Sequence, residues 1–251
     1  MKLNGKLFLI TGGNSGIGLA TAHALVEAGA KVAILGRDQQ TVEAAVAALG
    51  DGTIGVAGDV SRNEDLDRLF TEVKKGGQKL DGLFVNAGMG ALVSIADLSE
   101  AMFDNLIGIN LRGAIFTVKM ALPLMNDGGS IVFTSTAGWH QGIPGYCLYG
   151  ASKAALVGLS NSLAGELAPR GIRVNTVSPG AIETPIIGRL GLPEDQSQDI
   201  FNSWGSKCMV GRVGSPSEVG LLVRFLLSDE ASYITGVEIP VDGGYLLGAA
   251  D

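Results

Sequence analysis

The sequence predicts an α/β fold, in which a doubly wound parallel sheet of about seven strands carries helices on both faces. Short aliphatic runs alternate along the chain with longer amphipathic stretches, which is the pattern of strands and crossover helices. Several of the runs are continuously apolar, as in strands that are buried on both faces. No polar linker or internal repeat interrupts the alternation, so we expect residues 1–251 to form a single domain.

The strands are predicted from β-branched and aliphatic runs, and the helices from apolar residues at helical spacing. The first helix has an apolar stripe of Leu19, Ala22, Leu25 and Val26, and Gly29 follows where a glycine cap belongs. The predicted strands cover residues 7–10, 32–35, 53–56, 82–85, 130–133, 173–177 and 237–241. The later helices cover residues 39–49, 63–75, 99–122, 149–168 and 215–227.

Composition excludes several other classes of protein. Glycine makes up 38 of 251 residues, about twice the usual ~7%, but without a triplet period and with only 8 prolines, so the chain is not a collagen. The net charge of −7 argues against nonspecific nucleic-acid binding. The apolar runs are too short for a transmembrane span or a signal peptide, and Cys147 and Cys208 lack metal-ligand spacing. We therefore expect a cytoplasmic protein with no metal, nucleic-acid or membrane partner.

One segment breaks the alternation of strands and helices. Residues 185–214 are rich in Gly, Gln, Asp and Ser and carry scattered apolar side chains. Long loops in compact domains are often lids, so we predict a substrate lid here, with a surface insertion as the alternative. The residues that could form the walls of a substrate pocket are Leu92, Trp139, Tyr146, Leu148, Ile186, Ile187 and Trp204.

A glycine-rich turn follows the first predicted strand. Three of its glycines, Gly12, Gly16 and Gly18, have the spacing G-x-x-x-G-x-G, in place of the more common G-x-G-x-x-G. Glycines permit a tight turn from strand to helix and let the backbone approach a pyrophosphate at the helix amino terminus. The turn therefore predicts a dinucleotide site, with a glycine turn that binds no ligand as the alternative. Its candidate residues are Gly12, Asn14, Ser15, Gly16, Ile17 and Gly18.

The end of the second strand indicates which dinucleotide would bind. An acidic residue there binds the ribose 2′-hydroxyl of NAD, whereas an arginine accommodates the 2′-phosphate of NADP. In this chain Gly36 stands at the acidic position, Arg37 follows it, and Asp38 comes two positions too late. Arg37 therefore favours NADP(H), with Asn14 and Ser15 as further polar contacts. A solvated loop arginine is the alternative.

Tyr149 and Lys153 stand four residues apart at the start of a predicted helix, which places them on one helix face. A lysine cation close to a phenol favours the phenolate, so we expect Lys153 to lower the pKa of Tyr149. The pair predicts an acid–base group that works near neutral pH, although Tyr-x-x-x-Lys alone is a weak motif.

Together with the glycine-rich turn, this pair belongs to an ordered set of motifs, through which residues 6–247 resemble the short-chain dehydrogenase/reductase family. The resemblance implies a Rossmann-like fold and a nicotinamide cofactor. The further matching residues are Asp59 and Val60 after the third strand, Asn86, Ala87 and Gly88 after the fourth, Asn110, and the nicotinamide segment with Pro179, Gly180, Ile182 and Thr184.

The roles that the family assigns to these positions imply an active site. Tyr149 would protonate a carbonyl oxygen in reduction and deprotonate an alcohol in oxidation, and Lys153 would lower its pKa and bind the nicotinamide ribose. Asn110 would hold a water that relays protons to solvent. A hydroxyl after the fifth strand would hydrogen-bond the substrate oxygen. The spacing to the tyrosine nominates Thr136, whereas the local S-x-A-G pattern nominates Ser135, which we favour.

The sequence therefore predicts an NADP(H)-dependent carbonyl reductase or alcohol dehydrogenase that acts on a hydrophobic ketone, aldehyde or secondary alcohol. A 3-oxoacyl-carrier-protein reductase is one alternative, for which Arg112 and Lys119 are the candidate basic patch. A catalytically inactive NADP-binding regulatory protein is the alternative of another class. Because the family is usually tetrameric, we expect a homotetramer, with the helices at 99–122 and 149–168 in one interface and the last strand region in another.

Overall fold

The computed structural model describes residues 2–184 and 201–248, in which the strands form one parallel sheet. The strands are β1 (Leu7–Thr11), β2 (Lys31–Gly36), β3 (Ile54–Ala57), β4 (Leu80–Val85), β5 (Met125–Thr134), β6 (Arg173–Pro179) and β7 (Glu238–Val241). Their order across the sheet is β3-β2-β1-β4-β5-β6-β7. The predicted α/β class and the seven-stranded parallel sheet are therefore confirmed.

Helices connect the strands and cover both faces of the sheet. Gly29 has a φ of +92°, and its amide donates to the carbonyl of Val26, so it ends the first helix as predicted. The α-helices of the described ranges are α1 (Gly16–Glu27), α2 (Gln39–Leu49), α3 (Asn63–Lys75), α4 (Glu100–Ile107), α5 (Gly113–Ala121), α6 (Cys147–Leu167) and α7 (Pro216–Leu227).

Alternate residues of the central strands contribute to two hydrophobic cores. In β1, Phe8 and Ile10 pack with residues of α1, α2 and α7, whereas Leu7 and Leu9 pack with residues of α3, α5 and α6. All four side chains are at most 3% exposed. Burial on both faces explains why these strands are continuously apolar in the sequence.

The helix predicted at 99–122 contains an irregularity. α4 continues through a π-helical turn, Gly108–Arg112, into α5. Single π turns inside α-helices are frequent at functional sites, and this one carries Asn110. The stretch Glu100–Leu124 contains an 18-residue window with a mean hydropathy of 1.2 and is the one helix of the described ranges that could span a membrane by length and composition. The core helix of a globular protein passes the same test, and this stretch packs against α3, α6 and β4.

Residues 201–214 are the described part of the predicted lid. Residues 201–205 are helical, and Ile182 forms a parallel bridge with Gly214. This bridge ties the end of the segment to the chain that follows β6. The rest of the predicted lid lies outside the described residues, at 185–200, and includes Ile186 and Ile187.

Candidate active site

An elongated cavity of about 1120 Å³ runs along the sheet edge where β1, β4, β5 and β6 end. β1 and β4 are neighbours whose crossovers leave in opposite directions, so a crevice opens between their carboxyl ends. Ligand cavities usually measure ~300–1,000 Å³, so this one has room for more than one small ligand. The predicted site residues that line it are Gly12, Asn14, Ser15, Gly16, Ile17, Arg37, Asp59, Val60, Asn86, Ala87, Gly88, Ser135, Tyr149, Lys153, Pro179, Gly180, Ile182 and Thr184.

The first helix begins at this cavity without a side-chain cap. Ser15 occupies the N-cap position, but its side chain makes no capping bond, and the first turn of α1 contains no acidic residue. By contrast, Asp38 caps α2 and Ser99 caps α4. Because Ser15, Gly16 and Ile17 line the cavity, the unpaired N–H groups and the helix dipole make this end of α1 suitable for an anion.

Gly18 packs against the backbone of the turn and does not line the cavity. A Cβ at Gly18 would overlap the carbonyl oxygen of Gly12 and would lie 2.7 Å from Nδ2 of Asn86. Gly12 and Gly16 have φ values of +66° and +51°, in the left-handed region that favours glycine. Glycine is therefore needed at position 18 for close packing, and at positions 12 and 16 for the backbone conformation.

Gly36 makes room for a side chain of the first turn. A Cβ at Gly36 would overlap the carboxamide of Asn14, whose Nδ2 donates to Oγ1 of Thr41 at 2.8 Å. The carboxylate of Asp38 accepts the amide of Thr41 at 2.8 Å, and this hydrogen bond holds the pKa of Asp38 below its ordinary value. Asp38 is thus engaged as a helix cap, while Arg37 is exposed at the mouth of the cavity.

Asp59 and Val60 border the same end of the cavity. The amide of Asp59 donates to Oδ2 of Asp65 at 2.8 Å, and its carboxylate accepts hydrogen bonds from the amide and the hydroxyl of Ser61. Val60 is 5% exposed and packs against Gly113, where a Cβ would lie 2.8 Å from it. These contacts hold the loop after β3 in place.

Asn86 joins the ends of three strands. Its main-chain amide donates to Oγ1 of Thr11 at 3.0 Å, and its side-chain Nδ2 donates to the main-chain carbonyls of Thr11 and Gly12 at 3.2 and 3.3 Å. Its Oδ1 accepts a hydrogen bond from Oγ1 of Thr134 at 3.2 Å. The amide of Ala87 also donates to Thr11. Asn86 therefore holds the ends of β1, β4 and β5 together beneath the cavity.

Asn110 is fully buried and does not line the cavity. Its Oδ1 accepts the amide of Met89 at 2.8 Å, and its Nδ2 donates to the carbonyl of Met89 and to Oγ of Ser152, each at 3.0 Å. These bonds position the chain after Gly88 against α6. The predicted proton relay through a water on Asn110 stays a prediction.

Lys153 and Tyr149 stand together at the start of α6, as their spacing predicts. Lys153 is 3% exposed, its Nζ donates to the carbonyl of Thr134 at 2.8 Å, and it lies 5.9 Å from the centre of the Tyr149 ring. Burial lowers the pKa of Lys153 to about 8. Burial, followed by the neighbouring Tyr146, raises the pKa of Tyr149 above its ordinary value. The predicted lowering of the Tyr149 pKa is therefore wrong for this structure, because desolvation outweighs the distant ammonium.

The two candidate hydroxyls after β5 have different partners. Ser135 is 2% exposed, and its Oγ donates to the main-chain carbonyl of Lys153 at 2.9 Å. Oγ1 of Thr136 lies 3.3 Å from the hydroxyl of Tyr146, whose ring packs against the ring of Tyr149. The favoured residue, Ser135, thus uses its proton in a buried bond, whereas Thr136 faces the phenols of the cavity.

The segment after β6 is fixed by the chain that follows β7. The amide of Gly180 donates to the carbonyl of Val241 at 3.0 Å, and a Cβ at Gly180 would lie 2.6 Å from the Cβ of Asp242. Ile182 is 7% exposed and Thr184 is half-buried. The predicted nicotinamide segment is therefore placed along the cavity by close packing.

The far end of the cavity contains some of the predicted pocket walls and several residues that were not predicted. Of the predicted walls, Leu92, Tyr146 and Trp204 line the cavity, whereas Trp139 and Leu148 do not. Trp139 instead donates from its Nε1 to Glu238 at 2.9 Å. The lining residues that sequence reasoning missed here are Gly90, Ala91, Gln141, Gly142, Ile143, Pro144, Lys207 and Tyr245. They lie in irregular segments, whose path the apolar periodicity does not predict.

The cavity residues fit a nicotinamide dinucleotide. An uncapped helix end suits the pyrophosphate, and glycines stand where side chains would close the cavity. A Cβ at Gly88, for example, would lie 3.1 Å from Nζ of Lys153. Within residues 2–184 and 201–248, no group of three or more His, Cys, Asp or Glu side chains is arranged to hold a metal ion.

Comparison with known proteins gives a consistent result. A family model described as enoyl-(acyl carrier protein) reductase matches residues 12–246. The chain is 41% identical over 245 residues to oxidoreductase asL5 of Sarocladium schorii, covering 97% of this chain and 96% of that protein. It is 36% identical over 248 residues to dehydrogenase/reductase SDR family member 4 of Homo sapiens, covering 96% and 88% of the two chains. The crystal structure of 3-ketoacyl-(acyl-carrier-protein) reductase from Brucella melitensis complexed with NADH is similar with a TM-score of 0.86, at 32% identity and covering 98% of this chain and 100% of that chain.

Proposed function

Because this chain belongs to the short-chain dehydrogenase/reductase family of oxidoreductases, we propose that it transfers a hydride between NADP(H) and a carbonyl compound or secondary alcohol. A hydrophobic ketone or aldehyde is the proposed substrate. The proposal rests on one observation: Tyr149, Lys153 and Thr136 line a single cavity, and the uncapped amino terminus of α1 lies at the same cavity.

Tyr149 is the acid–base group of the proposed reaction. When bound, the nicotinamide supplies the hydride for reduction and accepts it in oxidation. Tyr149 gives its hydroxyl proton to the carbonyl oxygen in reduction and takes the proton of the alcohol in oxidation. Lys153 stabilises the phenolate that proton donation leaves behind, and with a pKa of about 8 it can itself exchange a proton near neutral pH.

We assign the second hydrogen bond to the substrate oxygen to Thr136, since the Ser135 hydroxyl is engaged with the carbonyl of Lys153. Asn110 acts as a positioning residue, because its bonds to Met89 hold the chain that passes the Lys153 ammonium. Asn86 supports the glycine-rich turn from below in the same manner.

Arg37 supports the preference for NADP(H). It is exposed at the cavity mouth beside Gly36, while the neighbouring Asp38 is engaged with Thr41 and so does not compete for the ribose. Arg37→Ala should weaken NADPH binding about 10-fold or more, the size of a lost charge-assisted hydrogen bond, and leave NADH binding nearly unchanged. Fluorescence titration of both cofactors measures this, with Arg37→Lys as a variant that keeps the charge. An equal loss for both cofactors would contradict the assignment.

The walls of the substrate end favour a small hydrophobic substrate over an acyl group on a carrier protein. Leu92, Ile143, Pro144 and Trp204 line that end. Arg112, which with Lys119 is the candidate carrier-binding patch, donates to the carbonyl of Ser61 at 2.7 Å and stacks 4.6 Å from the Phe116 ring centre. Because the Arg112 guanidinium is engaged within the fold, we propose the 3-oxoacyl-carrier-protein reductase only as the second candidate. The similarity to the Brucella melitensis reductase supports keeping it.

The decisive experiment is a substrate panel with NADPH. It contains hydrophobic ketones, aldehydes and an acyl-pantetheine thioester, and compares the wild type with Tyr149→Phe. We expect turnover of hydrophobic carbonyls and a loss of ~10²–10⁴-fold in the variant. A wild type that binds NADPH but reduces no carbonyl would support the inactive regulatory protein. Turnover restricted to the thioester would support the carrier-protein reductase.

We also propose a cytoplasmic homotetramer. α4 has only Leu106 buried, and it exposes Met102 and Phe103 to 47% and 45%. Contiguous exposed apolar side chains of this kind are typical of subunit interfaces. Tyr233, Val237 and Leu247, in the chain before and after β7, are further exposed apolar side chains. Cys147 and Cys208 are both free thiols, which suits a reducing compartment.

A further inference from the structure

A second tyrosine stands beside the proposed acid–base group. Tyr146 precedes Tyr149 by three positions at the start of α6, and the two rings meet edge to face with their centres 4.9 Å apart. The Tyr146 hydroxyl lies 3.3 Å from Oγ1 of Thr136, and its ring packs edge-on against the ring of Tyr149. Tyr146 therefore adjoins both residues whose hydroxyls the proposed function places on the substrate oxygen.

The fold holds this phenol in place. The amide of Tyr146 donates to the carbonyl of Ile143 at 3.1 Å, and its own carbonyl accepts the amide of Gly150 at 2.7 Å. Gly138 leaves room for the ring, because a Cβ there would lie 2.9 Å from Cε1 and 3.0 Å from the hydroxyl oxygen of Tyr146. A residue with any side chain at position 138 would press on this hydroxyl.

We propose that Tyr146 is a positioning residue, which orients the hydroxyls of Thr136 and Tyr149 and sets the pH range over which Tyr149 exchanges its proton. This inference rests on the proposed function. It goes beyond it, because the family motifs that identify Tyr149 and Lys153 do not include position 146.

The effect of Tyr146 on Tyr149 has a definite sign. Burial raises the pKa of Tyr146, so this phenol is neutral near pH 7. Tyr146 adds to the effect of burial on the pKa of Tyr149 and raises it further, because two adjacent phenols disfavour negative charge on each other. The other titratable groups around the two phenols are Lys153 on α6, Tyr245 after β7 with the adjacent Cys208, and Lys207 on the cavity wall.

The test removes the hydroxyl and keeps the ring. With Tyr146→Phe, kcat/KM is measured against pH for ketone reduction with NADPH and for alcohol oxidation with NADP⁺. Reduction needs protonated Tyr149 and oxidation needs its phenolate, so a lower pKa moves the limbs of both profiles to lower pH. We expect both profiles to shift to lower pH by roughly half to one unit, which corresponds to the free energy of one lost hydrogen bond.

Two further variants sharpen the test. Tyr233→Phe changes a tyrosine that does not line the cavity and should leave both profiles unchanged. Gly138→Ala keeps the Tyr146 hydroxyl but displaces it, and should shift the profiles in the same direction as Tyr146→Phe. If Tyr146→Phe does not fold, Gly138→Ala decides the question by the same measurement.

The outcomes separate this inference from the proposed function. If the wild type turns over no carbonyl and no alcohol, the proposed function fails and takes the inference with it. If the wild type is active and Tyr146→Phe binds NADPH normally with both pH profiles unchanged, the role of Tyr146 is overturned while the proposed function stands. A parallel shift of both profiles to lower pH supports the inference, and a shift to higher pH contradicts it.

Discussion

Ser135 and Thr136 are adjacent hydroxyl residues with different partners, and the difference predicts different consequences of removing each. Thr136→Ala should lower kcat/KM about 100-fold, as expected for the loss of one hydrogen bond to a developing oxyanion. Ser135→Ala should retain most of the activity and lower stability by about 1 kcal/mol, because it removes a buried bond to Lys153. Steady-state kinetics and urea unfolding of both variants measure this. The reverse ranking of activities would return the substrate contact to Ser135.

At the residue scale, sequence motifs place Gly36 and Gly180 at the site, and the structure adds a packing reason for each glycine. Gly36 is predicted as the residue that stands at the position of an acidic ribose ligand, and in the structure its missing side chain makes room for Asn14. Gly180 is predicted as part of the nicotinamide segment, and in the structure Asp242 occupies the space beside it. Such neighbours are distant in the sequence, so no local pattern reveals them.

Gly18 offers a direct test of close packing in the first turn. Gly18→Ala would place a methyl group against the carbonyl of Gly12, and the backbone would have to shift. We expect a loss of ~1–3 kcal/mol in the free energy of unfolding together with weaker NADPH binding. The matched control is Gly165→Ala on α6, where a Cβ would meet no atom within 4 Å. This control should be neutral or raise stability by up to ~1 kcal/mol; similar effects of the two changes in urea unfolding would refute the packing explanation.

At the scale of elements, α7 is held at its start by one carboxylate. Glu218 accepts the amide of Ser215 at 2.8 Å and two guanidinium bonds from Arg212 at 2.9 and 2.8 Å. These bonds, with Arg212 first, lower the pKa of Glu218 to about 2, against an ordinary value of 4.5. A carboxylate with a lowered pKa stabilises the fold above pH 4.5, and that stabilisation is lost as pH falls toward 2.

Glu218→Gln should therefore destabilise the protein at neutral pH by about 1 kcal/mol, the usual worth of a helix cap. The deficit relative to the wild type should shrink as the pH falls from 4.5 toward 2, because the wild-type carboxylate then becomes protonated as well. Urea midpoints of both proteins at pH 7, 4.5 and 3 measure the trend. A deficit that is constant over this range would show that the charge of Glu218 contributes nothing.

The helices and strands were predicted to within a few residues because their apolar patterns are long and continuous. One exception is β5, which begins at Met125, ahead of the predicted run at 130–133, through a polar stretch with Asp127 and Gly128. Another is the helical stretch at residues 201–205, inside the predicted lid. The π turn at Gly108–Arg112 was also missed, because it inserts a wider turn without breaking the helical apolar pattern. The pKa of Tyr149 could not be predicted either, since it depends on burial by parts of the chain that a sequence motif does not contain.

At the scale of the whole molecule, the proposed tetramer predicts that a charge on the exposed face of α4 disrupts assembly. Phe103→Glu should reduce the mass measured by light scattering to that of a smaller oligomer, because an unpaired carboxylate would be buried in the interface. Ala47→Glu adds the same charge on the exposed face of α2 and should leave the mass unchanged. A wild type that is monomeric at micromolar concentration would rule out the tetramer.

The parallel order of the sheet has a consequence for how the protein is made. The cavity is lined by Gly12 near one end of the sequence and by Tyr245 near the other, because every strand reaches the same edge. During synthesis on the ribosome, a nascent chain whose β7 and following residues have not yet emerged lacks the part of the cavity wall that contains Tyr245. The substrate end of the cavity, where Tyr245 lies, is thus completed late in synthesis, after the residues that fit the dinucleotide have already been made.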